Sequence, residues 1–207
     1  VTAKDVDVIF YNNGTRSFKI TGDVLLTHFG LSGPLILNNA YRVAELLEKG
    51  SVTAEIDCYP KLNEKELDTQ VIRALGEHPS KQLRNSLRLI APPGLSKAVA
   101  SLAAAQQDLS MNNSEISKND RIRLVRLLKS LPLTIQGLMG FERAVVADGG
   151  LSLDDIDTRT MRSKRISNLY ITGDLLNINR PSGSYSLPLY WTTWDIAGAA
   201  AAVHSSQ

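Results

Sequence analysis

"GDLLNINRPSGSYSLPLYW", residues 173–191, decides how this chain is read. Two glycines, two prolines, two asparagines and three serines crowd in ahead of aromatic side chains. A short apolar run at 168–172 precedes the stretch, and an alanine-rich tail at 197–203 follows it. Strand, irregular loop and helix in that order are the layout with which α/β proteins hold a ligand. An acidic residue just past a strand accepts hydrogen bonds from sugar-like hydroxyls, and Asp174 stands there. Gly173 lets the backbone approach a ligand closely. Gly183 and Ser184 open the next helix near Tyr185, whose partially positive end points back at whatever Asp174 touches. A structural loop capped by Asp and Ser uses the same residues, and the spacing leaves the two readings level.

Working outward, three β-like runs open the chain at 6–11, 17–21 and 24–27. Asn12-Asn13-Gly14 and Gly22-Asp23 between them predict a three-stranded meander. The period then changes. Pro34 suits a first helical turn, with Ser32 or Gly33 as cap and Gly50 as the stop, and Leu35, Ala40, Val43, Leu46 and Leu47 supply an apolar stripe. Alternation at 51–59 predicts a strand ending at Pro60. Helical patterns at 63–75, 80–90, 95–105 and 117–129 are divided by His78-Pro79, Pro92-Pro93-Gly94 and Met111-Asn112-Asn113. Strands return at 133–138, 143–147 and 169–172, with a polar irregular stretch at 153–160. The composition shifts near 130–150.

Several functions are disfavoured. A formal net charge of +2 over 207 residues is too small to argue for nucleic acid or an acidic membrane surface. The basic stretch 121–129 sets Arg121 and Arg123 on different helix faces while Ile122, Val125 and Leu128 can share a core face, so it reads as a solvated helix. No window approaches a membrane span. His28, His78 and His204 are scattered without metal-ligand spacing, so no metal site is expected. No nucleophile elbow and no phosphate-binding Gly-Lys-Ser/Thr loop occurs. Cys58 is the only cysteine, which excludes an internal disulfide and makes a reducing, cytoplasmic setting the default. The opening "VDVIFYNNG" reads as the middle of a protein already under way, and a fragment is expected. "THFGLSGP", 27–34, is a strand end with a capped helix start, or a set of free N–H donors for an anionic or carbonyl group.

Five blocks together, "LLTHFGLSGPLIL" (25–37), "LTIQGLMGFERAVVADGGL" (133–151), "TMRSK" (160–164), "NLYITGDLLNINRPSGSYSL" (168–187) and "AG" (197–198), resemble the BaiN/RdsA-type NAD(P)/FAD-dependent oxidoreductases, the aminoacetone oxidase-like flavoproteins. The resemblance implies an α+β chain. Residues 1–131 would be a β-barrel-like insert with a helical subdomain, and 132–207 the C-terminal segment of an α/β FAD-binding domain. The N-terminal segment with the diphosphate-binding glycine loop would be missing, and is itself an implied partner. By position, Gly173 and Asp174 would follow the ribityl–pyrophosphate linkage. Gly183, Ser184 and Tyr185 would approach the isoalloxazine, with Asn179 and Arg180 lining the pocket. His28, Gly30, Ser32 and Gly33 would face a small-molecule substrate, and no catalytic acid or base is implied. FAD is the implied cofactor and NAD(P)H an implied electron donor. The chain departs from the family pattern where Ser184 replaces a glycine, Pro188 a glutamine, and Trp194-Asp195 a Gly-Tyr pair. A cofactor-free scaffold or interaction module is the competing expectation, as half a FAD site lacks the glycine loop that grips the diphosphate.

Overall fold

The computed structural model describes residues 1–144, 149–181, 183 and 185–205. They form two compact units, Val1–Gly137 and Leu138–Gln207.

The first unit is built on β1 (Thr2–Asn12), β2 (Thr15–Thr27), β3 (Gly30–Ser32), β4 (Val52–Asp57) and β5 (Leu131–Ile135). Their order is β3-β2-β1-β4-β5, with every pairing antiparallel, and the sheet curls into a half-barrel. Strand period decides which face is covered. Val6, Val8 and Phe10 of β1, Phe18 and Ile20 of β2, and Val52, Ala54 and Ile56 of β4 all point into the core. Asn13 and Gly14 join β1 to β2 with φ of 49° and 79°. Positive φ at both central residues is the hairpin turn that matches strand twist, and Asn-Gly is its preferred sequence. The Asn13 carboxamide also accepts the Ser51 N–H at 3.0 Å, tying the turn to β4.

The turn expected at Gly22-Asp23 is absent, and two long strands replace the three-stranded meander. Ala3 faces Val24 and Val6 faces Gly22, so Lys4 and Asp5 together oppose Asp23. That is a β-bulge, one extra residue that bends the strand without ending it. Asp5 takes the strained left-handed conformation (φ 51°), and its N–H donates to Asp23 Oδ1 at 3.0 Å.

The helix expected from Pro34 to Gly50 is two, α1 (Pro34–Leu37) and α2 (Ala40–Lys49). Adjacent Asn38 and Asn39 break it, because Asn competes for backbone partners, and Asn39 Nδ2 donates to the Leu35 carbonyl at 2.9 Å. Gly33 is the cap and Gly50 the stop.

Between β4 and β5 lie α3 (Glu64–Gly76), α4 (Leu83–Ile90), α5 (Ser96–Ala104) and α6 (Lys118–Lys129), the four helices the periodicity predicts. Asn63 and Glu66 start α3 with reciprocal 2.9 Å side-chain-to-backbone bonds, a capping box. Leu67, Val71 and Leu75 of α3 and Leu124, Val125, Leu127 and Leu128 of α6 continue the core of the sheet. Cys58, just past β4, donates its N–H to the Leu128 carbonyl at 2.9 Å. Burial, reinforced by the Asp57 carboxylate and opposed by Lys129, pushes the Cys58 thiol up to about 12, so it stays protonated at neutral pH.

Asp7 is the one charged residue buried as a whole among the described residues. Burial pushes its carboxyl up. The Thr21 hydroxyl at 2.5 Å and the Lys19 ammonium at 2.9 Å, with Lys129 further off, outweigh that and hold it below its ordinary value.

The second unit has single 3-10 turns at Phe141–Arg143, Leu153–Asp155 and Gly173–Leu175, a two-residue hairpin β6 (Ile156–Asp157) and β7 (Arg162–Ser163), and α7 (Ser186–Ser205). Ile156, Met161, Ile171, Leu176 and Ala197 form its core. The strand expected at 169–172 shrinks to one bridge, Arg162 with Tyr170. A single bridge cannot make a ladder, and no long neighbouring strand is available among the described residues. The strand expected at 143–147 is a 3-10 turn at its start, and residues 145–148 lie outside the described residues. Among the described residues no helix is long and apolar enough to cross a membrane.

Candidate functional site

The 173–191 stretch folds as a loop held from both sides. On one side, Leu151 bridges Leu176 in parallel: its N–H donates to the Leu175 carbonyl at 2.8 Å, and the Asn177 N–H returns to the Leu151 carbonyl at 2.9 Å. Gly150 makes this possible, because a Cβ there would lie 2.8 Å from the Leu175 oxygen. On the other side, the Gly173 N–H donates to Thr193 Oγ1 of α7 at 3.1 Å, and that hydroxyl donates to the Leu189 carbonyl at 2.7 Å. Gly173 has φ 62°, and an added Cβ would press on the Tyr190 ring at 3.1 Å. Gly173→Ala is therefore expected to cost about 1–2 kcal/mol, through left-handed strain and displacement of Tyr190. Thermal unfolding of the second unit reads that loss, and an unchanged midpoint would show that the loop yields freely.

Asp174 is the centre of the charges here. Arg180 Nη2 donates to Asp174 Oδ1, and the Tyr190 hydroxyl donates to Oδ2 at 2.5 Å. Arg180 is nearly buried, with its side chain 7% exposed, and its Nε donates to Ser186 Oγ at 3.0 Å. The Asp174 side chain stays 47% exposed. An ionised carboxylate has about four acceptor positions, so two donors leave capacity for hydroxyls from outside. The loop thus brings Gly173, Asp174 and Arg180 together. Asn179 and Tyr185 are exposed, Gly183 is exposed with open space where a Cβ would stand, and Ser184 lies outside the described residues.

Tyr190, Thr193 and Ser186 are the residues that reading by motif passes over. All lie on α7, and their spacing from Asp174 carries no signal until the helix start is known. Pro188 falls in the first turn of α7, where its missing N–H is harmless.

The other expected cluster is a hairpin in the first unit. His28 is exposed in the β2–β3 turn, its ring edge-on to Phe29 at 4.9 Å. Gly30 and Ser32 pair with Thr27 and Leu25, and Gly33 is buried at the start of α1. The helix that "THFGLSGP" introduces is only four residues long and begins with proline, which has no N–H to offer.

An antiparallel half-barrel carrying four helices between its last two strands defines a barrel-plus-helical-domain protein. Residues 1–146 match the family model "HI0933-like protein barrel and H2TH domain", and the chain belongs to that family, the BaiN/RdsA-type flavoproteins that its motifs resemble. It is 28% identical over 183 residues to the 3-dehydro-bile acid delta(4,6)-reductase of Clostridium scindens, an alignment covering 88% of this chain and 44% of the relative. It is 26% identical over 200 residues to the ribosomal RNA dihydrouridine synthase of Escherichia coli, covering 96% and 46%. The enzyme of that name from Haemophilus influenzae is 27% identical over 172 residues, covering 82% and 40%. The chain spans less than half the length of these curated relatives.

Proposed function

We propose that this chain supplies the barrel-and-helical insert, residues 1–131, and the flavin-side segment, 132–207, of an FAD-dependent oxidoreductase. The observation that carries the reading is Asp174, a half-exposed carboxylate in the 3-10 turn of a loop braced on both sides, next to a glycine with positive φ. The residues suit the ribityl and ring portions of FAD: a bare backbone at Gly173, spare acceptor capacity on Asp174, and open space at Gly183. Arg180 holds the carboxylate in place and Tyr190 fixes its second oxygen. Bound flavin would supply hydride transfer between a small organic substrate or NAD(P)H and its ring. His28, Gly30, Ser32 and Gly33 would stand on the substrate side. The relatives' names differ in substrate and do not choose one for this chain. A reducing, cytoplasmic setting belongs to the same reading, and the buried thiol of Cys58 agrees with it.

The diphosphate needs a partner, because this sequence has no glycine-rich phosphate loop. Helix α7 supports an N-terminal FAD-binding segment as that partner. Its apolar side chains are spread around the helix rather than gathered in one stripe, a pattern of helices covered on more than one face, yet Trp191 and Trp194 are 64% and 60% exposed. The test is to purify the chain alone and together with the N-terminal FAD-binding segment of a relative, and to record flavin absorbance. Yellow protein only in the second sample is expected. Colourless protein in both overturns the reading and leaves the cofactor-free scaffold, which one observation favours: Asp174 is already engaged by Arg180 and Tyr190 within its own loop.

A further inference from the structure

A total charge near zero conceals a local imbalance in the first unit. Between Glu77 and Asp108 there is no carboxylate, and Lys81, Arg84, Arg88 and Lys97 fall in that interval. Five other cations of the helical part are paired: Lys61 with Asp5, Arg73 with Glu77, Arg121 with Asp68, Arg123 with Asp120 and Lys129 with Asp57. The basic-looking stretch 121–129 is thus largely neutralised. Among the described residues Arg84, Arg88 and Lys97 make no ion pair, although the Asp108 carboxylate, bonded to Ser110, lies within electrostatic reach of Arg84.

Their placement follows from helix period. Leu83, Ser86, Leu87 and Ile90 bury the inner face of α4, which puts Arg84 and Arg88 one turn apart on its outer face. Val99 and Ala103 bury the inner face of α5 and leave Lys97 outward in its first turn. The Pro92-Pro93-Gly94 connection brings the two helices side by side. A groove of about 250 Å³ runs between them, lined by Arg84, Arg88 and Lys97 with Asn85 and Ser96, and by the apolar Leu87 and Ala100.

We propose that this groove binds the phosphodiester backbone of a nucleic acid, with Arg84, Arg88 and Lys97 each contacting a phosphate. Three exposed cations without ion-pair partners suit a polyanion, whose condensed counterions they release on contact. A site for one small anion would hold a buried, fixed cation, and all three here are exposed. A protein partner would need an apolar centre, and Leu89 is the only large hydrophobic side chain exposed on these two helices. No aromatic ring lines the groove, so the contact is to backbone and not to base sequence.

The test measures fluorescence anisotropy of a labelled RNA hairpin, and of a DNA duplex of matching sequence, with the 207-residue protein. It needs no flavin and stands or falls apart from the flavoprotein reading. The variant carrying Arg84→Gln, Arg88→Gln and Lys97→Gln should bind at least tenfold more weakly at about 50 mM salt and lose about 2–3 from the slope of log affinity against log salt. Exchanging the cations in place (Arg84→Lys, Arg88→Lys, Lys97→Arg) should restore binding, and neutralising Lys4, Arg16 and Lys118 should change it less than twofold. Binding of either nucleic acid with this pattern supports the proposal. Unchanged binding by the groove variant, equal loss in the second triple variant, or displacement by millimolar inorganic phosphate overturns it.

Discussion

Replacing Lys129 with methionine is expected to lower the unfolding free energy of the first unit by about 2–4 kcal/mol. Lys129 closes the gap between α6 and the sheet. Its ammonium lies 2.6 Å from Asp57 Oδ2, 2.9 Å from the Tyr59 carbonyl and 2.7 Å from the Leu62 carbonyl. The Lys129 and Asp57 side chains are 17% and 15% exposed, so water reaches them poorly. Methionine keeps most of the stem's packing but strips Asp57 of its counter-charge, leaving its carboxylate the Tyr59 N–H at 2.9 Å, and takes the ammonium donor from the Tyr59 and Leu62 carbonyls. An orphaned charge costs more than the intact pair ever contributed. Urea denaturation followed by circular dichroism measures the loss. Pairing Lys129→Met with Asp57→Leu should recover about 1 kcal/mol or more, because the stranded charge has gone. A single variant within about 0.5 kcal/mol of the parent would mean that the ammonium is dispensable and that apolar packing alone holds α6.

Asp174→Ala, made in the protein completed by an N-terminal FAD-binding segment, is expected to weaken flavin binding about 10- to 100-fold, or about 1.4–2.8 kcal/mol, the range of hydrogen bonds to a charged acceptor. The alanine also deprives Arg180 of its counter-charge, so a structural loss has to be separated from a lost ligand contact. Asp174→Asn makes that separation, since its amide oxygen still accepts from Arg180 while the negative charge is gone. Arg180→Gln tests the opposite arm. It removes one of the two internal donors of Asp174, the Tyr190 hydroxyl remaining, and should leave flavin affinity within about threefold, because the Arg180 side chain is only 7% exposed and is engaged by Asp174 and Ser186, so it acts on the pocket it lines by positioning the carboxylate. Flavin fluorescence titration reads all three. Undiminished affinity in Asp174→Ala would remove this residue from the cofactor site.

Much of the fold was legible because its period is regular. The four helices between 63 and 129 appear where Leu67, Val71, Leu75 and Leu128 recur and where proline and Asn-rich breaks divide them. The Asn13-Gly14 turn was equally plain, since few sequences tolerate two successive positive φ values. Gly22-Asp23 misled because a glycine and an aspartate mark a bulge as readily as a turn. The pairing partner decides, and here Lys4 and Asp5 lie on the other strand. Asn38-Asn39 hid a helix break inside a continuous apolar stripe. At 169–172 the residues are strand-like, but pairing depends on a neighbour that local sequence does not describe. For the loop site, Gly173, Asp174 and Arg180 stood out by type and proximity. Tyr190 and Thr193 did not, since what they do depends on α7 lying against the loop.

Among the described residues the half-barrel leaves two rims unclosed. On one, β3 covers only Leu25–Thr27 of the long β2; on the other, β5 carries Pro132, which brings no amide hydrogen. The β5 rim is therefore a poor template for a strand from another molecule, and edge-to-edge zipping is disfavoured on that side of the sheet.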